Sequence, residues 1–145
     1  MVNVRQATEA DIVKVSRLWL EMLVELTPQF ASPNVGWWRK LAIAGLREGN
    51  RFILVADEGG RLIGFVDWCL YPDPSDGQIH AVGQHTYLKP EYRGRGIGDE
   101  LYRKAIEAGK KFGVKVVDLF CMDNEKPKWE KRGYKFVMSF LRKEV

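Results

Sequence analysis

The chain has little of what builds metal and redox centres, with two cysteines and two histidines among 145 residues. CxxC and HExxH strings are both missing, so no dedicated metal site is expected. Cys69 and Cys121 fall in apolar, strand-like segments, which suits buried free thiols in a reducing cytosol better than a disulfide. No apolar run approaches the roughly 18 residues that cross a bilayer. The start, Met1-Val2-Asn3-Val4-Arg5, also lacks the basic-then-apolar pattern of an export signal. A soluble cytoplasmic protein is the expectation. A GxxxxGK string is absent too, which disfavours ATP or GTP hydrolysis. Repeats, linkers and low-complexity tails are lacking as well. Charged residues make up 29% of the chain and apolar ones, at 46%, are spread along it, so collagen-like, disordered and coiled-coil readings fail. The length fits a single domain spanning 1–145.

What is present reads as a mixed α/β chain. A weakly alternating strand at the start leads to Thr8-Glu9-Ala10-Asp11, where a threonine followed three residues later by an acid suits a helix start. Ile12, Val15, Leu18, Trp19, Met22, Leu23 and Leu26 then recur at helical spacing, and the helix is expected to end near Thr27-Pro28. A loop over 28–33 precedes a second helix carrying Val35, Trp38, Leu41 and Ala42, which stops before Gly49-Asn50. Strands over 52–56 and 62–70 flank the turn Asp57-Glu58-Gly59-Gly60 as a hairpin, and after an acidic loop over 72–77 a third strand covers 79–88. From Ile97 the residues Leu101, Ala105, Ala108 and Phe112 mark a long helix, closed by Gly113. The stretch 114–121 reads as a buried strand, 124–132 as a short helix with Pro127 in its first turn, and 136–141 as a last strand.

The densest signal is Arg93-Gly94-Arg95-Gly96-Ile97-Gly98, directly after a strand and at the mouth of a helix. Alternate glycines let the backbone approach an anion so that several amides face it, with the positive end of the helix dipole behind them. The net charge of +4 favours such an anionic ligand. A dinucleotide fingerprint would need a third glycine where Asp99 stands, and a parallel βαβ unit near the start of the chain. The segment resembles instead the acetyl-CoA motif of the GNAT superfamily of N-acetyltransferases, (Gln/Arg)-x-x-Gly-x-(Gly/Ala), here Arg93-x-x-Gly96-x-Gly98. The longer string from Tyr87-Leu88-Lys89-Pro90 through Gly98 is similar to that family's strand, turn and helix start.

The resemblance implies a GNAT-type fold: a mixed, mostly antiparallel central sheet flanked by helices, in the order β-α-α-β-β-β-α-β-α-β, with the fourth and fifth strands splayed apart. It implies acetyl-CoA as co-substrate, with its pyrophosphate on the amides of Gly94, Arg95, Gly96, Ile97, Gly98 and Asp99, beside Arg93. The pantetheine arm and acetyl group would lie along the backbone of Thr86, Tyr87 and Leu88. Asn124 matches only loosely the asparagine that opens the family's penultimate helix, because it lies five rather than seven residues before Trp129.

Catalytic residues carry over less directly. The family commonly places a tyrosine acid four residues before a Gly-Phe pair, and Trp129 occupies that position here, before Gly133-Tyr134. An indole donates a hydrogen bond but releases no proton at neutral pH. Three readings stay open: the thiolate leaves unaided through water, Tyr134 serves as the acid, or the protein binds acyl-CoA without catalysis. Val82 stands where several relatives carry an acidic residue, so no carboxylate base transfers, and His85 is the candidate base, with His80 and Gln84 behind it. Candidate walls for the acceptor are Phe30, Trp37, Trp68 and Tyr71, with Asp67, Asp73 and Asp76 available to attract a cationic amine. Trp37 and Trp38 together cannot both be buried against one side.

The sequence reading is therefore direct acetyl transfer from acetyl-CoA to a primary amine, of a small molecule or a peptide, without a covalent intermediate on Cys121. The alternative within the same fold is a non-catalytic acyl-CoA sensor. A basic nucleic-acid module, raised by a pI of 9.1 and the cluster Arg93, Arg95, Arg103, Lys104, Lys110 and Lys111, lacks any accompanying recognition motif. No nucleic-acid or membrane partner is expected; the resemblance allows a homodimer in which the last strand pairs across an interface.

Overall fold

The computed structural model describes residues 1–26 and 32–145. Strand β1 (Val2–Gln6) runs into a short 3₁₀ turn, Glu9–Asp11, and helix α1 (Ile12–Leu26). Asp11 Oδ2 accepts the Thr8 N–H at 2.8 Å, so the threonine and acid read from the sequence do hold the helix start. Helix α2 (Val35–Glu48) is capped by Asn34, whose side chain accepts the Trp37 N–H, and ends on Gly49 at φ 74°. Strands β2 (Arg51–Glu58), β3 (Arg61–Pro72) and β4 (Ile79–Leu88) follow as an antiparallel meander. Gly59 and Gly60 form the two-residue hairpin turn with φ of 59° and 89°, a geometry that favours glycine at both positions. Helix α3 (Ile97–Lys111), strand β5 (Val114–Leu119) and the short helix α4 (Lys126–Glu130) complete the regular structure.

The sheet order is β1-β2-β3-β4-β5, antiparallel except for the parallel β4–β5 pair. One face carries α1 and α2 over a core of Ile12, Val15, Leu18, Ile53, Val55 and Phe65. The other carries α3 over Phe52, Leu54, Val66, Trp68, Leu101 and Ala105. Each such large apolar side chain contributes about 1.5–3 kcal/mol when fully buried. The two-sided burial explains why β2 and β3 read as continuous apolar runs rather than alternating ones.

Two details of β4 set the geometry at its C-terminal end. Its pairing with β5 stops at Gly83 opposite Leu119, while β4 itself continues to Leu88. Residues 84–88 therefore face an open gap, about 17 Å long at roughly 3.3 Å per residue. Strand β5 itself ends at Leu119, so a free edge of β4 stands where the resemblance implied splayed strands. In addition, the register with β3 slips between Asp67 and Trp68, so that Asp67 pairs with His85 but Trp68 with Gly83, leaving Gln84 as an inserted residue. Such a bulge redirects the side chains on either side of it. His80 opposite Tyr71 and His85 opposite Asp67 consequently share one face, although five positions separate them along the strand.

Several expectations are corrected. Residues 136–141 form no strand; Phe136, Val137, Met138, Phe140 and Leu141 are exposed, and the segment touches the body through rings, Phe140 on Phe120 and Phe136 under the Lys126 ammonium. A strand exists only through a partner's ladder, and none pairs with this apolar stretch among the described residues. The order thus ends in a helix rather than in a sixth strand. Strand β5 stops at Leu119, which leaves Cys121 outside it, and both cysteines are free and half-buried rather than fully buried. The last helix is five residues long, with Asn124 in the 3₁₀ turn that precedes it.

Candidate active site

The turn into α3 is built to leave amides unpaired. Gly94 and Gly96 adopt φ of 76° and 80°, the left-handed region that glycine enters without a side-chain penalty. Pro90 O accepts the Arg93 N–H, and the next main-chain bond of the turn runs from Glu100 N to Gly96 O. Among the described residues, the amides of Gly94, Arg95, Gly96, Ile97, Gly98 and Asp99 have no hydrogen-bond acceptor. They sit at the positive end of a 15-residue helix, an arrangement that stabilises an anion. A Cβ on Gly98 would come no nearer than 4.0 Å to Leu88, so the turn leaves open space there.

Arg93 plays a different part from the one its charge suggested. Its Nε donates to Leu88 O at 2.9 Å, its terminal nitrogens donate to Glu25 at 2.6 and 2.9 Å, and its guanidinium lies 5.5 Å from the Tyr87 ring centre. It braces the end of β4 against α1. Arg95 likewise turns back, donating to Glu91 O and covering Tyr92. Thr86, Tyr87 and Leu88 lie along the unpaired edge of β4, and Gly64 on β3 permits their close approach: a Cβ there would stand 2.8 Å from Tyr87 O. Burial, reinforced by Glu25, pushes the Tyr87 hydroxyl up to about 12.

Beside the gap lies a buried polar chain of four residues from four elements. Asp67 is fully buried, and Arg51, itself 8% exposed, donates to its two oxygens at 2.7 and 2.5 Å. His85 Nδ1 lies 3.2 Å from Asp67 Oδ2, and Trp19 Nε1 donates to His85 Nε2 at 3.3 Å. Burial alone would raise the Asp67 carboxyl, but the bonds from His85 and Arg51 outweigh it and hold the group below the usual carboxylate range. Sequence reasoning found His85 and missed Arg51 and Trp19. Arg51 sits diagonally across the β2–β3 ladder from Asp67, within reach of a long side chain, but that relation needs the register.

Other assignments move. Asp67 is sealed inside and cannot attract an amine from solvent. Trp68 is core on the α3 face, against Phe52 and Gly109, and lines no acceptor site. Trp37 is 58% exposed while Trp38 is buried and stacked on Trp19, which resolves the tryptophan pair as expected. Phe30 lies outside the described residues. His80 is ringed by carboxylates, Asp76 at 2.8 Å, Asp118 at 3.2 Å and Asp73 at 3.8 Å, and the bonds from Asp76 and Asp118 raise its pKa. Tyr71 donates to Asp118 from the same face. Trp129 is buried against Tyr102 and Tyr134 under the Arg132 guanidinium. A 2.9 Å hydrogen bond joins the Tyr102 and Tyr134 hydroxyls, and burial above all holds the Tyr134 proton far more tightly than usual. Neither ring is poised to release a proton. Asn124 is exposed.

An amide cradle at a helix mouth beside the unpaired end of β4 agrees with the family comparison, in which the model of the acetyltransferase (GNAT) family matches residues 14–134. This chain belongs to the GNAT family. It thereby stands among acyltransferases. The chain is 24% identical over 130 residues to the L-amino acid N-acyltransferase MnaT of Escherichia coli, covering 80% of this chain and 67% of that protein. It is 28% identical over 109 residues to the mycothiol acetyltransferase of Corynebacterium glutamicum, covering 70% of this chain and 36% of that one. A shorter match, 35% over 71 residues, covers 46% of the chain and 30% of an uncharacterized N-acetyltransferase of Methanocaldococcus jannaschii. The chain thus spans two thirds of the first relative and about a third of the other two. A crystal structure of a predicted acetyltransferase with acetyl-CoA from Clostridium acetobutylicum superposes with TM-score 0.84 at 17% identity, over 99% of this GNAT chain and 96% of that one. An acetyltransferase of Trypanosoma brucei gives TM-score 0.78 at 22% identity, with complete coverage of both chains.

Proposed function

We propose that this GNAT protein is an acetyl-CoA-dependent N-acetyltransferase that transfers the acetyl group directly to a primary amine of a small molecule or peptide. The carrying observation is the row of unpaired amides from Gly94 to Asp99 opening onto the β4 gap. Those amides fit a pyrophosphate, and the free edge of β4 at Thr86, Tyr87 and Leu88 fits an amide-bearing arm by strand-like pairing. Since Arg93 already occupies the Leu88 carbonyl, the edge offers its remaining groups. Acetyl-CoA supplies an activated acetyl group on a thiol that leaves near neutral pH without help from a protein acid. That matches a site in which Trp129 replaces the usual tyrosine and Tyr134 keeps its proton.

The chain's own contribution is positioning and proton removal. His85 Nε2 accepts a proton from the acceptor ammonium before the freed amine attacks; the Trp19 N–H that holds Nε2 at 3.3 Å is a long bond, displaced at a cost of about 1 kcal/mol. Asp73, Asp76 and Asp118, on the same side of the sheet as His85, give a cationic amine a negative approach.

The test is the melting temperature with acetyl-CoA, against NADH and ATP as controls. At 100 times its dissociation constant a ligand adds about 2.7 kcal/mol, a shift of several degrees for a domain of this size. A shift with acetyl-CoA alone, followed by thiol release with a panel of amines, supports the proposal; no shift refutes it. The substitution of Trp129 for an acid favours one rival, an acyl-CoA sensor, which would show the shift with no thiol release.

A further inference from the structure

We propose that Asp67 is a positioning residue for His85, fixing its imidazole as the Nδ1–H tautomer so that Nε2 is the basic nitrogen. The inference rests on the acetyltransferase reading for its catalytic part, but the tautomer follows from the geometry alone. An indole nitrogen is a donor and never an acceptor, so the Trp19 bond to Nε2 requires that Nε2 carry no proton. The proton of the neutral ring then sits on Nδ1, and it points at Asp67 Oδ2, which is 3.2 Å away. Asp67 is in turn fixed as an anion by the two Arg51 bonds, which leave it no rotational freedom. The two ends of the imidazole thus specify the same tautomer independently.

The arrangement has a catalytic consequence. When the acceptor ammonium gives its proton to Nε2, one N–H bond breaks on the amine and one forms on the ring, and the imidazolium is left beside the Asp67 carboxylate. The proton later passes to water. Without an anion at Asp67 the same imidazolium would face the Arg51 guanidinium with nothing between them. Asp67 never touches the acceptor; it acts through His85.

The tautomer is read in wild-type protein labelled with ¹⁵N-histidine, with His80→Asn used to assign the two rings. The expected spectrum of neutral His85 shows a protonated Nδ1 and an unprotonated Nε2; a protonated Nε2 overturns the proposal. The second arm uses Arg51→Met/Asp67→Asn, which removes the carboxylate without leaving a buried charge unpaired. Thiol release with the best amine of a panel should fall tenfold or more in kcat, with the KM for acetyl-CoA unchanged. In a His85→Ala background the same pair of changes should cause no further loss. Equal losses in both backgrounds would make Asp67 structural only and overturn its positioning role. If no amine is turned over by wild type, the acetyltransferase reading fails, and the spectrum still decides the tautomer.

Discussion

Replacing Arg51 with methionine tests the buried chain energetically. Arg51 and Asp67 are 8% and 0% exposed and share two short bonds, so Arg51→Met keeps much of the packing but strips a fully buried carboxylate of its counter-ion. Breaking such a pair on one side costs about 3–5 kcal/mol, a large part of the roughly 5–15 kcal/mol that holds an ordinary domain together. Urea unfolding at pH 7 should show the midpoint falling by about 2 M, for a slope near 2 kcal/mol per M, and Arg51→Met/Asp67→Asn should regain at least half of the loss. The pH dependence carries the sharper signature. In wild type the Asp67 carboxyl is depressed, so its contribution is present above the unfolded value near 3.9 and is lost only as pH falls through the lower folded value. In Arg51→Met the Asp67 carboxylate loses its buried counter-ion and its folded pKa rises, so the native state takes up a proton there and the variant regains stability as pH falls from 7 toward 5. The gain is at most about 1.4 kcal/mol per pH unit for each proton. Because stability is compared with wild type at each pH, the His80 contribution cancels. A single-variant loss under 1 kcal/mol, or a difference that does not change with pH, would refute the ion-pair account.

The remaining predictions concern the turn, the sheet and the two histidines. Gly96→Ala forces a side chain to φ 80° and should cost about 1 kcal/mol in urea unfolding while shrinking the acetyl-CoA melting shift by more than half. Gly64→Ala sets a Cβ against Tyr87 O and Leu88 and should destabilise by about 1–3 kcal/mol, read in the same way. His80 has a raised pKa, chiefly through Asp76 and then Asp118, so its stabilisation is full below the unfolded value near 6.5 and is lost as pH rises through the folded one. Asp76→Asn should flatten that part of the melting-temperature profile, and an unaltered profile would exclude the pair. His85→Ala should lower thiol release more at pH 7 than at pH 9, where the amine needs less help to lose its proton.

Most of the architecture is local information, and it was legible. The periodicity of Ile12, Val15, Leu18, Trp19 and Met22 specifies α1, the Gly59-Gly60 turn specifies the β2–β3 hairpin, and Gly113 specifies the end of α3. The turn into α3 was equally readable, because glycine spacing announces the left-handed backbone found at Gly94 and Gly96. The stretch 136–141 was misread for the opposite reason: apolar residues describe a strand's preference, whereas strand identity comes from a partner's hydrogen bonds.

The amino-acid order by itself thus determined the elements up to β5, the glycine turn into α3 and the family. Tertiary structure alone decided which charges meet. Asp67 was read as an exposed lure for amines and is sealed behind Arg51, because cross-strand register, rather than sequence distance, brings residues 16 positions apart into contact. His80 and His85 would alternate to opposite faces on a regular strand; the insertion of Gln84 puts both on one. A one-residue register slip leaves composition and periodicity almost unchanged yet moves a side chain from one face of the sheet to the other, and for that reason the contact of Arg51, Asp67 and His85 was decided only in three dimensions.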